Sequence, residues 1–315
     1  MGDAPRGDAT GPRGPGAAPA PADGYAALVD ALLGRCEFPA PGEPVDCAVS
    51  GGPDSLALLV LATAAGCCVT AWHVDHGLRA GADAEAALVA AAAARYGAAF
   101  RRVAATVAPG PNLEDRARRA RFDALPSGVC TGHTADDQAE TVLLALLRGA
   151  GVDGLAGMAP AHHPLLGLRR SETAALCRAE GLATVDDPTN RDPAILRNRV
   201  RHELLPLANE LAGRDLVPVL ARTAAVLRGD AELLAAHAAA VDATDALALA
   251  AAPTPSARRA VRAWLAQYAT YPPSVAAVDR VISVARGEAV ACEVAGVGRI
   301  QRHAQRLSVQ PKPNT

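Results

Sequence analysis

The stretch Val45-Asp46-Cys47-Ala48-Val49-Ser50-Gly51-Gly52-Pro53-Asp54-Ser55 decides how this chain is read. Residues 45–49 are a short, mostly apolar run that predicts a strand, and 55–65 an apolar stretch that predicts a helix. The five residues between them, with Ser55 opening the helix, turn the chain. Two glycines let the backbone turn sharply and approach a ligand without a Cβ in the way. The helix start then offers unpaired N–H groups and the positive end of its dipole, and Ser50 and Ser55 add hydroxyls. Together these make a cradle for phosphate. It is not a Walker A loop, because G-x-x-x-x-G-K-S/T is absent and the chain's one lysine is Lys312. Asp54 would repel a bare phosphate, so it belongs beside Mg2+ or acts as an orienter of the loop.

Outward from this loop, short apolar runs alternate with helical patterns. Strands are predicted at 69–74, 100–104 and 129–132, and helices at 82–96, 113–125 and 135–148. That alternation predicts an α/β fold with a doubly wound parallel sheet, whose ligands bind beyond the carboxyl ends of its strands. The uncharged run 56–72 reads as a buried helix leading into a buried strand rather than as a membrane span, since Gly66 interrupts it. A helix at 171–180 with Ser171 as N-cap, a polar loop at 186–193, and a basic helix at 195–205 ended by Pro206 follow. Beyond Arg214 the pattern is helical, with breaks at Gly229, Pro253, Pro255 and Pro272–Pro273, and 290–309 alternates like strands. The expected division is a tail at 1–23, read as disordered from its Gly, Pro and Ala content, a catalytic domain at 24–210, and a smaller, mainly helical C-terminal domain at 211–315.

The chain has 315 residues, half of them apolar and 3% aromatic, with a formal net charge of −2. A core of ordinary size is therefore available, and any nucleic-acid contact must come from local patches. Thirty of the 31 basic residues are arginine. The seven cysteines form no C-x-x-C, so no zinc or cluster site is signalled, and their odd count fits reduced thiols in a cytoplasm. No signal peptide is visible.

Four further segments carry chemistry. His73-Val74-Asp75-His76-Gly77-Leu78-Arg79 ends the second strand and faces the same crevice as the loop. Asn112-Leu113-Glu114 precedes Ala117-Arg118 and Arg121-Phe122, and on a helix Glu114, Arg118 and Arg121 share one face. In Gly132-His133-Thr134-Ala135-Asp136-Asp137-Gln138-Ala139-Glu140-Thr141, more carboxylates crowd a helix start than capping needs, so they can bind a cation, either a metal or an ammonium group. Asp187-Pro188-Thr189-Asn190 leads to Arg197-Asn198-Arg199-Val200-Arg201 and Leu204-Leu205-Pro206, a local positive charge suited to RNA phosphates. Taken singly, each also reads as caps or a solvated face.

Together, over residues 47–206, these segments resemble the PP-loop (adenine nucleotide alpha hydrolase-like) enzymes, and within them the tRNA(Ile)-lysidine synthase family. The loop matches SGGxDS. The other segments resemble HVDHGLR, NxExxAR, GHxxDDxxET and DxSN…RNRIRxxLLP. One departure is His163, where the family usually has an arginine before Pro-Leu-Leu; Arg169 and Arg170 lie nearby.

The resemblance implies a cytoplasmic ligase. ATP adenylates C2 of the wobble cytidine of a CAU-anticodon tRNA(Ile), and free L-lysine then displaces AMP. It places ATP on Ser50, Gly51, Gly52, Pro53, Asp54, Ser55, His73, Asp75, His76 and Arg118. It places lysine on Asp137 and Glu140, and tRNA on Arg121, Arg197, Arg199 and Arg201. Mg2+ would sit by Asp54 and Asp136. Asp137, Glu140 or His133 would accept the amine proton. No membrane contact is expected, and nothing in the chain sets the oligomeric state, a homodimer included. Two other readings stand beside this one. The first is a 2-thiocytidine-type PP-loop enzyme, weakened by the missing paired cysteines. The second is a non-catalytic nucleotide-binding module.

Overall fold

The computed structural model describes residues 22–75, 82–105, 116, 120, 123–186, 188–269 and 273–310. By backbone proximity the chain falls into two units. The first takes the chain through Glu140 together with Met158–Pro218, and the second takes Thr141–Gly157 with Val219–Thr315. A division at 210/211 would leave 141–157 with the first unit. Inside the second unit, however, Arg259 pairs with Asp153 at 2.5 Å and Arg228 donates to the Ala156 carbonyl at 2.7 Å.

The first unit is built on a parallel sheet of β1 (Pro44–Ala48), β2 (Cys68–Asp75), β3 (Ala99–Ala104) and β4 (Cys130–Thr131), in the order β3-β2-β1-β4. The chain leaves β1 toward β2 on one side and returns to β4 on the other, so the switch point of the sheet lies between β1 and β4. The phosphate loop follows β1 and Gly132-His133 follows β4, which brings both segments to that point. In β1 the side chains alternate, with Val45 and Cys47 buried, and Asp46 is accommodated by the indole N–H of Trp72 at 2.7 Å. Helix α2 (Pro53–Ala64) is buried at every position from Ser55 to Ala62, which explains its uninterrupted apolar sequence. It packs against α1 (Ala22–Leu33), α3 (Ala82–Arg95) and the later helix Arg170–Ala179. Among the described residues no helix is long and apolar enough to cross a membrane.

The second unit holds most of helix Val217–Ala239, then Ala246–Ala251, Thr254–Ala266 and Val275–Arg286. An antiparallel sheet of Ala291–Val294, Gly298–His303 and Arg306–Gln310 completes it. Its core is a separate apolar cluster including Leu249, Val261, Leu265, Val278 and Ile300.

Four local expectations change. The tail expected over 1–23 lies outside the described residues except for its last two, which begin α1. Gly229 does not break its helix, since Val217–Ala239 runs through it at a cost of about 1 kcal/mol relative to alanine. The N-cap at Arg170–Ala179 is Arg169 rather than Ser171, because the Glu172 carboxylate already accepts the Arg169 N–H at 2.8 Å. Pro206 does not end the basic helix. It sits in the first turn of a continuing α-helix, Leu205–Ala212, after a π-helical turn at Val200–Leu204.

Candidate active site

At the loop, Gly51 has φ +89°, a conformation that side chains rarely adopt. A Cβ there would also stand 3.0 Å from Val185 Cγ2, and the Val185 N–H ties the loop down by donating to the Gly51 carbonyl at 2.9 Å. Ser55 Oγ donates to the Gly52 carbonyl at 2.9 Å and lies 3.2 Å from both the N and Oγ of Ser50. Pro53 occupies the first helical turn, where its missing N–H costs nothing. Gly132 is equally constrained, since a Cβ on it would sit 2.5 Å from the Asp54 carbonyl oxygen. The loop after β4 is thus packed directly on the first turn of α2. From the other side, buried His73 holds the Val49 carbonyl at 2.9 Å. A carbonyl only accepts, so Nδ1 of His73 carries the proton.

The acidic motif opens helix α4 (Ala135–Leu147). Asp137 Oδ2 accepts the Thr134 N–H at 2.9 Å and the Thr134 hydroxyl at 3.0 Å. Its Oδ1 accepts Arg170 at 3.0 Å and Arg197 at 3.1 Å. Glu140 is fully buried and takes four arginine N–H groups. Arg170 reaches Oε1 at 3.2 Å, Arg197 reaches Oε2 at 2.8 Å, and Arg201 reaches Oε1 at 2.7 Å and Oε2 at 3.2 Å. Three guanidinium groups therefore converge on two carboxylates. Burial pushes Asp137 up, but the charges of Arg170 and Arg197, with smaller help from His133 and the Thr134 N–H, outweigh it and hold the carboxyl at about 2.

Asp136 is occupied differently. Arg169 grips both of its oxygens, at 3.0 and 3.1 Å, and the Arg170 N–H donates to Oδ2 at 2.9 Å. Asp54 accepts the Thr173 hydroxyl, and its other oxygen stands 3.5 Å from Arg170 Nε. Burial, with a contribution from Asp137, pushes Asp54 up to about 6 against the opposing pull of Thr173 and Arg170. Thr131 Oγ lies 2.5 Å from Nδ1 of His133 and 2.7 Å from Nδ1 of His163, whose rings meet edge to face at 4.9 Å. One hydroxyl can donate to one ring and accept from the other.

These positions redraw the sequence reading. Glu140 has no surface left for a lysine ammonium and is instead the anchor of Arg170, Arg197 and Arg201. Arg197 and Arg201, expected on an RNA surface, turn inward to it. Arg199 points out and pairs with Glu203 at 3.1 Å, both side chains more than half exposed. Asp136, expected beside a metal ion, has both oxygens engaged by Arg169 and the Arg170 N–H. Asp75 lies at the end of β2 and accepts Arg102 at 2.6 Å. His76, Arg118 and Arg121 lie outside the described residues. Sequence reasoning missed Thr173, whose hydroxyl meets Asp54, and the fork of Arg35 on Glu172 at 2.6 Å, which fixes the start of the helix carrying Arg169 and Arg170. Arg169 and Arg170 at the opening of a helix with Glu172 at its third position were the available signal.

A PP-loop domain family model matches residues 32–208. Among curated relatives, the tRNA(Ile)-lysidine synthase of Nocardia farcinica is 43% identical over 271 residues, covering 80% of this chain and 85% of the relative. The tRNA(Ile)-lysidine synthase of Rhodococcus erythropolis is 46% identical over 244 residues, covering 72% and 75%. That of Mycobacterium tuberculosis is 41% identical over 263 residues, covering 76% and 81%.

Proposed function

The chain belongs to the tRNA(Ile)-lysidine synthase family of PP-loop enzymes, and from that premise we propose how its own residues carry the reaction. The substrates are ATP, a CAU-anticodon tRNA(Ile) and free L-lysine, and the compartment is the cytoplasm. The observation that carries the reading is the meeting, at one switch point, of the Ser50–Ser55 loop and the Asp137–Glu140 helix start.

In the first step the C2 carbonyl oxygen of the cytidine attacks the α-phosphorus of ATP and pyrophosphate leaves. The N–H groups opening α2, with Ser50 and Ser55, hold the departing charge where it develops. Asp54, with one oxygen on the Thr173 hydroxyl and the other 3.5 Å from Arg170 Nε, is the carboxylate nearest the loop and the one that would hold Mg2+ beside the phosphates. When bound, that ion would add charge neutralisation to pyrophosphate departure.

In the second step the lysine ε-amine attacks C2 and AMP leaves. Free lysine carries an ammonium and a carboxylate, and the cluster offers both complementary signs. Asp137, ionised at neutral pH and slightly exposed where Glu140 is not, takes the ammonium end in exchange for one of its arginine contacts, and the surplus guanidinium charge faces the carboxylate. Glu140 sets the arginines in place. The amine must shed a proton as it attacks, and His133, which sits between β4 and the helix start that carries Asp137, is the base we assign. The cytidine must leave its stack to reach the site, as single-stranded RNA bases do when they are read.

The test is incubation with ATP, Mg2+, labelled lysine and unmodified CAU-anticodon isoleucine tRNA. Label should enter that RNA and not methionine tRNA. AMP release without lysine incorporation would keep the adenylation and remove lysine as the nucleophile. Asp137→Ala should abolish transfer while ATP still binds, and loss of ATP binding would show that the carboxylate serves the nucleotide instead.

A further inference from the structure

Thr131 ends β4 and is buried, and His133 follows it by two residues. His163 arrives from a separate segment. The 3-10 turn Pro160–His162 packs against β4, and the His163 N–H donates to the Pro160 carbonyl at 2.8 Å. On the other side, the Pro164 carbonyl accepts the Glu37 N–H at 3.2 Å, and Leu165 is fully buried. The chain is therefore fixed on both sides of His163, which holds its ring at the end of β4. There Thr131 Oγ lies 2.5 Å from Nδ1 of His133 and 2.7 Å from Nδ1 of His163. The two Nδ1 atoms are 3.3 Å apart, and the rings stand at 87° to each other.

A hydroxyl has one proton, and a neutral imidazole carries one N–H and one bare nitrogen. To bond both rings, Thr131 must donate to one Nδ1 and accept from the other. One Nδ1 then carries a proton and the other does not, so the two neutral rings hold opposite tautomers. The close approach of the two Nδ1 atoms asks for the same, since two N–H groups would otherwise face each other. Neither ring can change tautomer alone without losing its bond to Thr131. Which nitrogen of an imidazole is bare is set by the hydrogen bond that the other nitrogen makes.

A base must present a bare nitrogen to the proton it takes. Nδ1 of His133 is turned to Thr131, so the amine proton goes to Nε2, and His133 serves only while its own proton is on Nδ1. Given the role proposed above for His133, we infer that His163 is a positioning residue for lysine transfer, which through the Thr131 hydroxyl holds His133 as its Nδ1–H tautomer. His133 Nδ1–H donates to Thr131, and the Thr131 hydroxyl donates to a bare Nδ1 on His163. In the step itself one N–H bond of the amine breaks and one forms at Nε2. His133 becomes an imidazolium whose Nδ1–H still donates to Thr131, so no other bond in the chain has to change. The opposite direction, with His163 donating, would place the His133 proton on Nε2 and remove the base.

The first measurement is nitrogen NMR on the full chain with isotope-labelled histidine, which tells a protonated ring nitrogen from a bare one. His133 should show Nδ1–H and His163 Nε2–H. The reverse pair, or tautomers that vary independently in the two rings, overturns the inference. His163→Phe keeps an edge-to-face ring and removes the acceptor. It should release His133 from the Nδ1–H form and slow lysine transfer by about a hundredfold, the low end of what a general base contributes. Pyrophosphate release from ATP and tRNA, and the melting temperature, should stay at wild-type values. Thr131→Val keeps a β-branched side chain in the strand and should behave alike. His163→Asn sets an amide oxygen where Nδ1 stood, and should restore both the spectrum of His133 and transfer. Transfer at the wild-type rate in His163→Phe overturns the inference. So does an equal fall in transfer, pyrophosphate release and melting, which marks a ring that only packs. If wild type transfers no lysine, the functional reading fails by itself, and the spectra still decide whether Thr131 ties the two tautomers together.

Discussion

The two units solve the problem of a core in opposite ways. In the first, polar side chains are buried throughout, from His73 to Asp137, Glu140, Thr173 and Asn198. In the second, no polar residue among the described ones is buried as a whole, although the Arg262 Nε is shielded, and ion pairs such as Arg258–Asp279 and Arg306–Asp242 stay at the surface. Burying charge is unfavourable unless every partner is present, and a buried ion pair is often no better than apolar packing. The second unit shows that this chain reaches a closed core without such groups. On the proposed reading, the polar set of the first unit is held for chemistry, at some expense in stability.

The sharpest way to break that contrast is at Glu140. Glu140→Ala strands Arg197 and Arg201 with part of their partners gone, and should cost about 3–5 kcal/mol in urea denaturation. Glu140→Leu combined with Arg197→Leu and Arg201→Leu removes charge on both sides. That triple variant should come within about 1 kcal/mol of wild type or exceed it, while lysine transfer stays lost. If it is as unstable as Glu140→Ala, the cluster holds up the fold and the contrast fails. In the second unit, Leu265→Ala should cost about 2–5 kcal/mol through the cavity it leaves. The protein that remains folded should still bind ATP with wild-type affinity.

Acid sharpens the same comparison with a smaller effect. The Asp137 carboxyl sits at about 2, below its ordinary 3.8, so the folded state binds its proton less readily than the unfolded chain. Its stabilising contribution is fully present above the unfolded value and is lost as pH falls through about 2. Asp137→Asn should therefore cost about 2 kcal/mol at neutral pH, with the penalty shrinking steadily between pH 4 and pH 2. A penalty that does not change with pH would mean that the arginines stabilise the amide as well as the charge.

Much of the first unit was legible because each signal is local. A strand, two glycines and a helix start force the loop, and alternation of strands and helices forces the parallel sheet. The acidic motif was legible as a helix start, but its partners were not, since Arg170, Arg197 and Arg201 come from sequence positions 30 to 61 residues away. Sequence spacing gave no sign of which face of the basic helix turns in. An α-helical reading puts 197 and 201 on one face and 199 on another, and both faces read equally well as RNA-binding. The π turn was hidden as well, because Pro206 signals a helix end by its own chemistry, whereas here the helix continues past a π turn. Ser171 looked like a cap because side-chain type is visible in sequence, whereas the Glu172–Arg35 fork that fixes the true helix start is a long-range contact.

The smallest expected effect separates the two faces of that helix. Arg199 and Glu203 form an exposed pair four residues apart, the kind of contact that contributes little to stability in water. Arg199→Ala should leave the melting temperature within measurement error and lysine KM unchanged. If the outer face meets the RNA backbone, tRNA affinity should fall by a modest factor, and the slope of log affinity against log salt should flatten by about 0.7 to 0.9, the loss of one phosphate contact. Arg197→Ala, two residues away but turned inward, should do the reverse: lower stability and impair lysine use, with the salt slope preserved. An unchanged slope in Arg199→Ala together with a flattened one in Arg197→Ala would mean that the inward arginine leaves Glu140 for the RNA on binding. The buried cluster would then be a resting arrangement of the site, and Glu140 would become available to the lysine ammonium after all.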